Sequence, residues 1–331
     1  MKKQQDKNLT SSQKNESIRP SKEKDTALAK TTEQKLREKN LDNIKDLIEL
    51  VLELKEKDTS DMFSYFSSHL EKIISRYEAI KDKYLILFLY DENNSIDENM
   101  ADKIYDAIPK DNHKPILMIL HSRGGQVEPA YLISKACQEH SNNFIIVIPR
   151  RAKSAATLIS LGANEIHMGS MSELGPIDPQ IGKLPALSIS SSLRTIAKVV
   201  TEYPDSSIMF SKYLSEKLDL RILGYFERVS ESAKQYAIRL LKDKKTPKST
   251  QDIANDLVYE YKDHSFVIDR EEAKKYFGNI IKSNTEEYLL ANDIHKFMSM
   301  LNMLLALIKK QKIAIVGKYD NLTAFSVEKQ S

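Results

Sequence analysis

Three short runs of unbroken apolar residues constrain this chain most: YLILFLY (84–90), PILMILH (115–121) and FIIVIP (144–149). Each has the length of one strand. A strand that is apolar at every position, rather than at alternate ones, is covered on both of its faces. The segments between the runs, 97–109 and 127–140, carry apolar residues at three- and four-residue steps, the period of an amphipathic helix. A short helix over 154–163 and a fourth strand, EIHMG (165–169), continue the series. Alternating strands and helices with short connections predict an α/β fold built on a mainly parallel sheet with right-handed crossovers.

The flanks read differently. From Glu33 to Lys81 the pattern is helical, with Leu41, Ile44, Leu47, Ile48, Val51 and Leu54 forming one stripe, and Met62, Phe63, Phe66, Leu70, Ile73 and Ile74 another. After Gly182 the chain is again mostly helical, over 206–243, 250–261, 271–276 and 286–311. KIAIVG (312–317) and LTAFSVE (322–328) are spaced to form a terminal hairpin. The expected organisation is a disordered basic tail (1–32), a helical extension (33–81), an α/β body (82–282) and a C-terminal helix with a hairpin (283–331). The tail has too few large apolar residues to offset the entropy of ordering.

Charge excludes one class of partner. Lys and Arg number 50 and Asp and Glu 47 in the 331 residues. Residues 1–40 carry a net +5, so the rest is close to neutral at −2. A nucleic-acid-binding body would concentrate positive charge, so no nucleic-acid partner is expected. The tail's charge suits either solubility or a peripheral contact with an anionic membrane surface. The most apolar run, 297–308, is shorter than the ~20 residues a membrane-spanning helix needs, so no transmembrane segment is expected. The single cysteine excludes an internal disulfide framework and fits a reducing, cytoplasmic compartment. No Cys/His cluster, HExxH or acidic magnesium motif argues for a metal, and no cofactor motif is present.

Chemistry is concentrated where glycine is. The chain has nine glycines, and six fall between Gly124 and Gly182. The first cluster, HSRGGQVEPAYLI (121–133), turns from a strand into a helix. Adjacent Gly124 and Gly125 let backbone N–H groups face an anion or a carbonyl oxygen. The spacing matches neither a dinucleotide fingerprint nor a Walker phosphate loop. The second, PRRAKSAATLISLGANEI (149–166), places Ser154 at a strand-to-helix elbow. Its hydroxyl is either an N-cap or a nucleophile, with the Ala155 N–H positioned as an oxyanion donor. The third, SELGPIDPQIG (172–182), is an ordered loop that carries Asp178.

Together these three motifs resemble the serine dehydrogenase proteinase family, related to signal-peptide peptidase A and the Clp protease subunit within the Clp/crotonase superfold. The resemblance covers roughly residues 82–282. It implies a β/α spiral, a serine nucleophile, hydrolysis of peptide bonds and a homo-oligomer. It matches Ser154 to the nucleophile, and Gly124 and Gly125, with Ala155, to the groups that bind the oxyanion and the substrate backbone. Arg123 stands where relatives usually have proline, and Ala155-Ala156 replaces a glycine-containing pair.

The base is less direct. Clp subunits carry a histidine about 25 residues after the serine, where this chain has Asp178. DHSFVIDREEAKKYFGNI (263–280) resembles the closing Clp segment, with His264 where the relatives have their aspartate. The two positions are exchanged, which implies a triad of Ser154, His264 and Asp178, with Asp263 as a nearer alternative acid. The rival is a Ser–Lys dyad using Lys198 or Lys183, which requires a desolvated lysine. The resulting expectation is a soluble serine peptidase acting on peptides or unfolded proteins. A crotonase-like acyl-thioester enzyme and an inactive scaffold are the alternatives. The helical flanks offer apolar faces for self-association, and His69, His113, His140 and His295 read as surface residues.

Overall fold

The described helices begin at Asn43, whose side chain accepts from the Lys45 N–H at 2.9 Å and opens α1 (Ile44–Glu53). Then follow α2 (Thr59–Ser75) and α3 (Glu78–Lys83). The computed structural model describes residues 39–57, 59–181, 184–186 and 188–328. The tail expected over 1–32 lies outside them. Leu41–Ser331 forms one unit.

Strand β1 (Leu85–Asp91) is buried at all seven positions, as is β2 (Ile116–Ser122). Between them, α4 (Glu98–Asp106) starts where Asp97 accepts from the Met100 N–H. Next come α5 (Val127–Glu139), β3 (Phe144–Ile148), the two-residue β4 (Arg151–Ala152), α6 (Ala155–Leu161), β5 (Glu165–Met168) and the two-residue β6 (Glu173–Leu174). A small hairpin, β7 (Gln180–Ile181) and β8 (Leu184–Pro185), leads to α7 (Ser188–Glu202), α8 (Ser207–Lys217) and α9 (Leu220–Leu241). The chain ends with α10 (Thr250–Asn255), β9 (Ile268–Asp269), α11 (Arg270–Phe277), β10 (Ile281–Lys282), α12 (Glu286–Ile308), β11 (Gln311–Lys318) and β12 (Asn321–Glu328).

The main sheet runs β10-β5-β3-β2-β1-β11-β12. Its centre is parallel, with Leu85 opposite Ile116, Ile116 opposite Phe144 and Ile146 opposite Ile166. β11 joins β1 antiparallel and β12 joins β11, so the terminal hairpin extends the central sheet rather than standing apart. β4 leaves β2 through the Ser122–Ala152 pairing and carries β6, which pairs antiparallel with β9. This branch bridges the ends of the strands that position the site.

Both sheet faces are covered, which is why the strands are apolar throughout. Leu85, Leu87 and Leu89 of β1 and Met118 and Leu120 of β2 join the core under α4, α5, α6 and α9. On the opposite face α12 packs on β3, β5 and β11 and against α1 and α2. Phe66 and Phe297 rings meet there at 6.5 Å, and the Tyr77 hydroxyl donates to Asp293 at 2.8 Å. Each fully buried leucine, isoleucine or phenylalanine contributes about 1.5–3 kcal/mol.

Some expectations change. The N-terminal helices and α12 pack on one another within one chain, which accounts for most of their apolar stripes, while Ile44, Leu289 and Leu307 stay exposed. The helical stretch expected over 206–243 is two helices that part at Leu218, where Asp219 accepts from the Arg221 N–H at 2.8 Å and starts α9 anew. The stretch expected as helix over 250–261 is α-helical to Asn255 and continues as a π turn, Asp256–Glu260. His69 is buried, not a surface residue, with its ring 4.6 Å from Phe297. His295 is half-buried, with the Tyr90 hydroxyl 2.8 Å from its Nδ1.

Candidate active site

The site is assembled where β2 and β4 end. The Lys153 N–H donates to the Ser122 carbonyl at 3.0 Å, which fixes the loop after β4 beside the glycine turn after β2. Gly124 has φ +106°, and a Cβ there would lie 2.7 Å from both the Lys153 carbonyl oxygen and Ser154 Cβ. Gly125 is as tightly confined: its Cβ would lie 2.1 Å from the Ile96 nitrogen. The two glycines therefore let the turn lie directly against Ser154 on one side and the loop before α4 on the other. The Ile96 N–H donates to the Gly124 carbonyl, and the Gln126 N–H to the Ile96 carbonyl, at 3.0 and 2.8 Å.

Ser154 has φ 52° and ψ −120°, a conformation L-residues rarely adopt. It stands in the N-cap position of α6, yet its side chain caps nothing. The ordinary reason for a serine at a helix start is thus missing. The Gly124 N–H is taken by Ser122 Oγ at 3.1 Å. Among the described residues, no backbone carbonyl takes the N–H of Gly125 or Ala155. Of the three expected donors, the Gly124 N–H is thus engaged in the turn, and those of Gly125 and Ala155 have no hydrogen-bond acceptor among the described residues.

Asp178 is buried, and His264 Nδ1 lies 2.7 Å from its Oδ1. Its Oδ2 accepts from Gln180 Nε2 at 2.8 Å. With Asp178 ionised, the shared proton sits on Nδ1, which leaves Nε2 as the ring's acceptor nitrogen. His264 belongs to a turn closed by the Phe266 N–H donating to the Asp263 carbonyl at 3.0 Å. The Asp263 carboxylate accepts from the Ser265 N–H and hydroxyl at 2.8 and 2.7 Å, so it serves the turn rather than the imidazole. These bonds hold the Asp263 carboxyl below its usual range.

Ser154, Ala155, Gly124, Gly125 and His264 line one cleft of about 660 Å³. Val127, Leu158, Ile177, Val229 and Ala233 form its apolar wall; Glu92, Arg123 and Glu128 supply charge. No hydrogen bond joins Ser154 to His264 among the described residues; in free enzymes such bonds are often long until substrate closes the site. Lys198 is exposed on α7, a helix with no buried residue, so the desolvation a lysine base requires is absent there. Lys183 lies outside the described residues.

A charged network behind the cleft has no counterpart in the sequence reading. His121 Nε2 lies 2.9 Å from Glu92 Oε1, off the line of a hydrogen bond, and Arg151 Nε lies 3.5 Å from the same oxygen and 3.6 Å from Glu173. His121, followed by Arg151, holds the Glu92 carboxyl down at about 2. Lys153 Nζ, 3.3 Å from Glu173, completes the row. No spacing rule links these residues, because Glu92, His121, the Arg151–Lys153 segment and Glu173 belong to four different strands or their immediate exits.

Residues 66–301 match the model of the ClpP-like SDH-type serine proteinase family. The chain belongs to this family. Similar proteins include the uncharacterized proteins MJ0137 and MJ1495 of Methanocaldococcus jannaschii. They are 29% identical over 190 residues and 30% identical over 143. These matches span 57% and 43% of this chain, and 61% and 44% of the two relatives, so the chain spans less than two thirds of either. A solved structure of a mutant 1510-N membrane-bound stomatin-specific protease aligns at 17% identity with a TM-score of 0.38, over 66% of this chain and 84% of that one. The mainly parallel α/β sheet agrees with the ClpP-like family fold. Among the described residues no helix is long and apolar enough to cross a membrane.

Proposed function

We propose that this member of the serine proteinase family hydrolyses peptide bonds in peptides or unfolded proteins, with Ser154 as nucleophile, His264 as base and Asp178 as the group that orients the base. The observation that carries this reading is the His264–Asp178 hydrogen bond on the cleft to which the uncapped Ser154 opens. His264 Nε2 takes the hydroxyl proton as Oγ attacks the scissile carbonyl, and returns it to the leaving amine. The Asp178 carboxylate holds the tautomer and stabilises the imidazolium. The N–H groups of Gly125 and Ala155 donate hydrogen bonds to the developing oxyanion. Water then resolves the acyl-enzyme by the same path.

The lysine dyad has weaker support, because nothing desolvates Lys198. An extended substrate pairing with the Gly124-Gly125 turn would be bound through its backbone, which suits unfolded chains of varied sequence. The proposal includes a homo-oligomer in the cytoplasm, on the strength of the family and of the single, buried cysteine. Hydrolysis of a fluorescently labelled unfolded protein tests the reading. Ser154→Ala and His264→Ala should each abolish it, and Lys198→Ala should not. Full activity in His264→Ala refutes the triad. A folded protein with no hydrolysis in any form favours the scaffold reading.

A further inference from the structure

Lys153 directly precedes Ser154, but its side chain serves a different part of the site. Its Nζ donates to the Phe266 carbonyl at 2.8 Å and to the Ser265 and Leu174 carbonyls at 3.3 Å each. Glu173 Oε2 lies 3.3 Å away, and the Lys153 side chain is only 12% exposed. A Cβ on Gly175 would lie 2.6 Å from Lys153 Cδ, so that glycine makes room for the lysine stem. Burial pushes the ammonium pKa down, and Glu173 opposes that shift.

Ser265 and Phe266 are the two residues that follow His264. The turn they form is otherwise closed on itself, through Asp263. Among the described residues, its outward hydrogen bonds are those to the Lys153 ammonium and the imidazole bond to Asp178. One residue thus has its backbone joined to the nucleophile and its side chain clamped on the turn that carries the base. Glu173, held in turn near Arg151, anchors the clamp to β6.

We infer that Lys153 is a positioning residue that sets the separation between Ser154 and His264. The inference rests on His264 being the base, as proposed above. Misplacement of a reacting group by about 1 Å costs on the order of 10²-fold in rate. Losing the clamp releases the turn without removing any group that touches substrate.

The test is the second-order rate of labelling by a fluorophosphonate probe, which reports nucleophile activation. Lys153→Met should slow labelling about 30- to 100-fold. In a His264→Ala background the same substitution should cost less than about threefold, because its effect passes through His264. Lys153→Cys, alkylated with 2-bromoethylamine to restore an ammonium at the original reach, should recover most of the rate. Cys137 is the only other cysteine and is buried, so the reagent is directed to position 153. An equal loss in the presence and absence of His264 would mean that Lys153 acts on the elbow or the oxyanion donors, and overturns the inference. So does an unchanged rate in Lys153→Met while His264→Ala is slow. A wild-type rate in His264→Ala overturns the base assignment itself, and the inference with it. If Lys153→Met does not fold, Glu173→Gln carries the same comparison, with a smaller loss that must likewise vanish without His264.

Discussion

Replacing Asp178 by asparagine changes charge and almost nothing else. Both carboxylate oxygens are occupied, by His264 Nδ1 at 2.7 Å and Gln180 Nε2 at 2.8 Å, and the side chain is 6% exposed. Asparagine keeps the shape but offers one acceptor and one donor group. If its NH₂ faces the ring, the imidazole is driven to the Nε2–H tautomer and cannot accept the Ser154 proton. If its oxygen faces the ring, the tautomer survives but the negative charge opposite the imidazolium is gone. With charge centres about 4 Å apart and an effective dielectric of about 20, that attraction is roughly 4 kcal/mol. Lost from the transition state, it corresponds to about 10³-fold in rate. The assay is hydrolysis of an unfolded protein substrate beside the fluorophosphonate labelling rate, with thermal melting to establish that the variant is folded. A folded Asp178→Asn protein within about threefold of the wild-type rate would refute the reasoning, and would leave Asp178 as a structural carboxylate.

Three further outcomes follow from the geometry. Gly124→Ala forces a Cβ to within 2.7 Å of Lys153 O and Ser154 Cβ at φ +106°, so labelling of Ser154 should fall at least tenfold and stability by about 1–3 kcal/mol; an unchanged rate would mean the turn does not abut the elbow. Lys198→Ala, on the exposed face of α7, should leave hydrolysis within about twofold of wild type, and a loss beyond tenfold would revive the lysine dyad. His295 is pushed down to about 3 from the usual 6.5 by burial first, then by His121 and Arg150, with Glu92 opposing. The unfolded chain therefore binds a proton below pH 6.5 that the folded chain refuses until about 3, and stability present in full above 6.5 drains as pH falls through that window. His295→Gln should narrow the gap in melting temperature between pH 7 and pH 5; an unchanged gap would contradict the assignment.

The sheet is legible in the sequence because burial on both faces leaves its mark on every residue of a strand. YLILFLY, PILMILH and FIIVIP carry that mark. The two-residue strands β4, β6 and β9 carry none, since two residues have no period. Yet they bring Ser154, Lys153 and the His264 turn together. The neighbourhood of Asp178 and His264, separated by 86 residues, becomes legible only through the resemblance. Propensity cannot connect a loop aspartate to a histidine in a distant turn. The role of Lys153 is hidden for a related reason. A lysine beside a serine looks like a solvated charge until the backbone carbonyls of Ser265 and Phe266 are seen to converge on it. Helices α1, α2 and α12 show the opposite failure: their stripes are plain, but a stripe does not say whether the same chain or another covers it.

The central claim is that Ser154 is an activated nucleophile. Incubating the full-length protein with a fluorophosphonate probe, then mapping the adduct by mass spectrometry, tests it most directly. The account predicts one adduct per chain, on Ser154, lost in Ser154→Ala and strongly slowed in His264→Ala. A folded protein that takes no label, or that takes it undiminished in Ser154→Ala, would contradict it.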